Sequence, residues 1–146
     1  KPGGNFAPNF IPAFTPKEML ALGIFEGKYC NDCQSELPVD WFNGARISDV
    51  SDPALNRFRV KSRQSIRIWQ QKGWIYGPDP RGWFQWYCRY FDGRRMPEID
   101  KIQIARWKTF GPRHIGGIKK NCPKKFFSCR KKQRQALLQW AYNPFF

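Results

Sequence analysis

Apolar and polar positions follow a helical period most clearly between Asp79 and Arg95, "DPRGWFQWYCRYFDGRR". At about 100° per residue, Arg81, Gln85, Arg89 and Asp92 fall in one narrow sector. Trp83, Phe84, Trp86, Tyr87, Tyr90 and Phe91 fill the wide opposite face, with Cys88 at its border. This is the pattern of an amphipathic helix, capped by Asp79-Pro80 and ended by Gly93. Large rings on one broad helical face are normally buried, so they read as core rather than as a base-stacking platform. Tyr87 or Tyr90 is left to reach the surface.

Shorter helices come from the same reasoning. Thr15-Pro16-Lys17-Glu18 has the form of a capping box with proline at the first helical position, and Gly23 or Gly27 can stop that helix. "LPVDWF", around Pro38 to Phe42, and Asp52-Pro53 each open a short helix. Ser62 to Lys72 reads as a helix with Gly73 as its stop, and "GWIYGPDPRG" as a turn-rich connector. Pro97 to Thr109 is the next helix, with Glu98 and Asp100 in its first turn. Ser128 caps a last helix reaching about Tyr142. Alternating strands are scarce, so the expected fold is mainly α, a small single-domain helical bundle over residues 15–142.

Residues 1–14 break the helical pattern. Phe6, Phe10 and Phe14 recur every four residues, as do Pro8, Pro12 and Pro16. Proline removes backbone donors and favours extended chain, so an arm is expected. Its three phenylalanines call for docking, on its own domain or on a protein neighbour. Residues 143–146, "NPFF", form a tail.

With 146 residues and 41% apolar composition, such a chain can bury a core without disulfides. Charge changes the picture. Lys and Arg number 26 against 11 Asp and Glu, a net of +15. Residues 1–56 carry a net of −3 and residues 57–146 a net of +18. No carboxylate follows Asp100, whereas 12 Lys or Arg do. Self-repulsion of this size calls for a polyanion, and nucleic acid is the usual one. A membrane surface ranks lower, because no run of about 18 apolar residues exists and the rings are spread too evenly for one interfacial helix.

Residues 119–134, "KKNCPKKFFSCRKKQR", hold the densest charge, with eight Lys or Arg in sixteen positions. Arg130, Lys131, Lys132 and Arg134 fall in the first turns of the last helix, where cations oppose the helix dipole. That placement makes sense if phosphate oxygens sit there. Expected phosphate contacts are therefore Arg113, Lys119, Lys120, Lys124, Lys125, Arg130, Lys131, Lys132 and Arg134. Arg81, Arg94 and Arg95, at the ends of the ring-rich helix, join them. Phe126 and Phe127 are expected to anchor the basic run to the core. No zinc-finger, homeodomain, RRM or KH pattern appears, so base-sequence readout is not indicated.

Cys30-x-x-Cys33 with Cys122 and Cys129 could supply four thiolates to a structural zinc, although the second spacing is loose. The competing reading is buried reduced thiols acting as small hydrophobes. An odd count of five argues against an extracellular disulfide framework. Catalytic residues are hard to assemble. Asp32, beside both cysteines, and His114, in "FGPRHIGG", are the two candidates to watch, and no Ser/His/Asp order or phosphate-cradling glycine loop accompanies them.

"DPRGWFQWYCRYF", "GRR" and "CRKKQRQALLQWAY", with "TPKEMLALG", "GKY", "DPALN" and "ARWKTFGPRH", resemble a family of small basic proteins with no assigned activity. The resemblance spans Thr15 to Tyr142 and leaves out the F-x-P-x arm. In that pattern a glycine pair precedes Lys-Tyr, and here Glu26 replaces the first. It implies no activity, cofactor or site.

These observations lead to a non-enzymatic RNA-binding protein, a structural subunit of a ribonucleoprotein such as an organellar ribosome. An intracellular, mitochondrial or other organellar setting is expected. Lys1 in first place is expected of a chain that was trimmed or freed of a targeting segment. The alternative is a DNA-binding or DNA-repair protein, a glycosylase using Asp32 among them.

Overall fold

The structure is a computed structural model, and it describes residues 3–29, 36–61, 78–79 and 81–146. The helix expected over Ser62 to Lys72 lies outside the described residues. So do Asp32, Cys30 and Cys33.

The fold is mainly α, with no β-sheet among the described residues. Helix α1 (Pro16–Leu22) begins as its sequence dictates. The Thr15 hydroxyl accepts from the Glu18 N–H, and the Glu18 carboxylate accepts from the Thr15 N–H. Three short 3-10 turns come next, at Phe25–Gly27, Val39–Phe42 and Pro53–Leu55. The ring-rich helix α2 (Trp83–Phe91), the long helix α3 (Pro97–Asn121) and helix α4 (Lys131–Gln139) complete the order.

Helix α2 lies at the centre. Trp83, Phe84, Trp86, Tyr87 and Tyr90 are all buried, so the expected core is present. Tyr87 and Tyr90 are buried too, contrary to the expectation that one would surface. The reason is the arm. Phe10 inserts among Trp83, Trp86, Tyr87, Tyr90 and Trp107, with ring centroids 5.0–6.3 Å apart. The Tyr87 hydroxyl donates to the Phe14 carbonyl (2.6 Å), and the Ala7 N–H donates to the Tyr90 hydroxyl (2.9 Å). Of the two docking places open to the arm, its own domain holds its phenylalanines. Its prolines suit this, because an extended strap without regular hydrogen bonding can follow an irregular aromatic surface.

The boundaries of α2, α3 and α4 differ from expectation, and α4 ends at Gln139 rather than near Tyr142. Asp79 does not cap α2; Gly82 stands at that position, with φ 98° and no capping side chain. The Asp79 carboxylate is fully buried and binds arginines instead. Helix α3 runs to Asn121 rather than stopping at Thr109, with Pro112 inside it. Proline costs a helix one donor, and the turn before it is stabilised from outside. The Tyr142 hydroxyl donates to the Trp107 carbonyl and lies within hydrogen-bond reach of the Gly111 backbone N–H. The Tyr142 ring stacks on Trp107 at 4.7 Å, and a Cβ at Gly111 would overlap it. Burial pushes the Tyr142 phenol up to about 12.

Buried amides clamp the irregular segments onto α4. Gln135 accepts from the Phe58 N–H (3.1 Å) and donates to the Gly23 carbonyl (3.0 Å). Gln139 accepts from the Phe25 N–H (3.0 Å). Glu26 adopts φ 58°, a left-handed conformation that only glycine takes without steric cost.

Candidate nucleic-acid interface

Helices α3 and α4 form an antiparallel pair. Phe110 stacks on Trp140 at 4.5 Å near one end, and Gly117 faces Gln133 further along. At the far end Cys122, which caps α3, and Cys129 are joined by a disulfide with Cα atoms 5.8 Å apart. The disulfide draws the last turn of α3, the loop of residues 122–129 and the start of α4 into one corner.

Lys119, Lys120, Lys124, Lys125, Arg130, Lys131 and Lys132 gather at this corner, and all seven are exposed. Arg113, also exposed, sits further along α3. No Asp or Glu follows Asp100, so the side chains of this segment supply no countercharge. Lys119 and Lys120 sit favourably at the negative end of α3. Arg130, Lys131 and Lys132 sit unfavourably at the positive end of α4. Arg130 occupies the N-cap in a left-handed conformation, φ 58°, with no side-chain cap. Ser128, expected at that position, does not cap the helix. The loop instead closes through Cys129, whose N–H donates to the Phe126 carbonyl.

Three of the expected phosphate contacts have their donors engaged by the protein itself. Arg94 grips Asp79 in a two-pronged pair at 2.9 and 2.7 Å. Arg89 adds a third contact to Asp79 at 2.9 Å. Arg95 donates to the carbonyls of Tyr90, Arg94, Gly4 and Asn5, and its guanidinium lies 3.7 Å from the Tyr90 ring centroid. It fastens the arm to α2. Arg134 is fully buried. It donates to the carbonyls of Cys129, Pro144, Phe146 and Phe126, which holds the tail and loop against α4. Arg81 is half-buried at the α2 entry, and its carbonyl accepts from the Tyr29 hydroxyl. It lies outside the corner.

The paired phenylalanines part company. Phe127 packs edge-on against Phe145 at 5.6 Å and lies 5.4 Å from the Arg134 guanidinium, so it anchors as expected. Phe126 does not anchor: its side chain is 54% exposed. Sequence held a usable hint, because two adjacent side chains in a tight turn rarely share one core-facing side.

The zinc reading meets the disulfide. Cys122 and Cys129 as a disulfide carry no thiolate, the form that binds metal. Among the described residues, no group of three or more His, Cys, Asp or Glu side chains gathers to hold a metal. His114 packs against Phe110, with ring centroids 4.4 Å apart. Burial, with the Arg113 charge adding, holds its pKa below the usual 6.5. Among the described residues, no helix is long and apolar enough to cross a membrane.

Compared with protein-family models, curated proteins and solved structures, the chain matches none.

Proposed function

We propose that the protein is a non-enzymatic RNA-binding protein, acting as a structural subunit of a ribonucleoprotein such as that of an organelle. The observation that carries this reading is the corner of seven exposed cations in a segment without Asp or Glu. A like-charged cluster on a disulfide-closed turn is electrostatically costly unless an anion covers it. Phosphate oxygens at regular spacing meet that need, and the uncapped first turn of α4 adds backbone N–H groups facing the same anion. Contacts of this kind position a protein on RNA without reading bases, which suits a structural subunit.

The test is fluorescence anisotropy of the purified protein with labelled RNA and DNA, single- and double-stranded, across a salt series. Nuclease digestion of co-purifying nucleic acid runs beside it. RNA binding that weakens linearly in log–log salt is expected. Absence of such binding would overturn the reading. Binding restricted to duplex DNA, with release of damaged bases, would replace it with a repair enzyme.

A further inference from the structure

We infer that the basic corner takes an unpaired strand and stacks one of its bases on Phe126. This deepens the proposed nucleic-acid reading and rests on it. Among the described residues, Phe126 is the exposed aromatic side chain, while the many other rings pack inward. Its backbone is fixed on both sides. The Phe126 N–H donates to the Pro123 carbonyl (3.2 Å), and its carbonyl accepts from the Cys129 N–H (3.1 Å) and from Arg134 (3.3 Å). A fully buried arginine and a disulfide thus hold the backbone that presents an exposed ring. Lys124 and Lys125 precede the ring directly, and Arg130 comes just after the same closed turn.

An exposed ring on a held backbone among cations is an arrangement that binds single strands, where bases stack on aromatic faces and phosphates lie on Lys and Arg. A duplex keeps its bases paired and stacked, so it could use the cations but not the ring. The ring-rich helix α2 cannot serve, because its rings are covered by the arm.

The experiment uses the full chain, a single-stranded RNA of about a dozen nucleotides, the same sequence as DNA, and the RNA duplex. Phe126→Ala is expected to weaken single-strand binding about 5- to 150-fold. The salt slope should stay unchanged, and duplex binding should change by less than about twofold. Phe126→Trp should retain single-strand affinity and Phe126→Leu should not. Thermal melts of each variant check folding. If wild type binds with a steep salt slope but Phe126→Ala binds single strands equally well, the stacking inference falls while the cationic interface stands. Equal losses on single strand and duplex would make the ring structural and also overturn it. If no nucleic acid binds, both readings fall. If instead phosphatidylserine-containing vesicles bind and Phe126→Ala abolishes this, the corner is a membrane contact and the inference is overturned.

Discussion

Replacing Arg130, Lys131 and Lys132 together by alanine tests the placement of the phosphate site most directly. All three are exposed at the first turn of α4, so their removal empties no core and relieves repulsion with the helix dipole. Stability should hold or rise slightly. Binding should change in a defined way. On a single strand each neutralised phosphate contributes about −0.7 to the log–log salt slope. Seven engaged cations give about −5, and raising salt from about 50 to 200 mM then weakens binding on the order of 10³-fold. Four remaining cations give about −3, and the same salt change weakens binding by only about 50-fold. Anisotropy titrations over that salt range measure both slopes. Arg94→Gln with Arg95→Gln is the control, because the terminal guanidinium nitrogens of Arg94 and Arg95 are taken by Asp79 and by backbone carbonyls. That pair should leave the slope intact and lower stability. An unchanged slope in the triple variant, or an equal drop in the control, would refute the placement.

The packing predicts three further outcomes. Asp79→Asn keeps the shape but removes the charge held by Arg89 and Arg94. Losing one partner of a buried pair costs about 3–5 kcal/mol. Because these arginine side chains are 23% and 25% exposed, about 2–3 kcal/mol is expected, a Tm lower by on the order of 5–10 °C. A circular-dichroism melt that overlays wild type would contradict the assignment. Gly111→Ala should destabilise by about 1–2 kcal/mol by displacing the Tyr142 ring, whereas Gly116→Ala in open space on the same helix should stabilise by up to about 1 kcal/mol; urea midpoints that shift alike would sink the Tyr142 insertion. His114 has a folded pKa below its unfolded value, so the unfolded chain takes the proton first as pH falls. Stability from its neutral form is complete above about pH 6.5 and declines below it; His114→Gln should flatten that decline in urea midpoints taken between about pH 7 and 5, and equal slopes would count against it.

Short-range chemistry alone specified several parts of this molecule from its sequence. The period of Trp83 to Phe91 specified a helix with a ring face, and Gly93 marked its end. Thr15 and Glu18 specified the start of α1. The loss of carboxylates after Asp100 located the charge in the last third. Composition also limited the arm to two fates, because three phenylalanines on a proline-rich strap must be covered by something.

The rest depended on contacts between distant residues, which no local period encodes. Gln135 and Gln139 bind backbone groups more than seventy residues away, and Tyr142 reaches back to Trp107 and Gly111 so that α3 passes through Pro112. Arginine is chemically the same whether it meets phosphate, Asp79 or a carbonyl. Its surroundings in the folded chain separate Arg94, Arg95 and Arg134, whose guanidinium groups are bound within the fold, from the seven solvent-exposed cations at the α3–α4 corner. The same holds for Phe126 and Phe127: the turn that puts one ring on Phe145 turns the other to solvent, and that orientation is set by the disulfide and by Arg134.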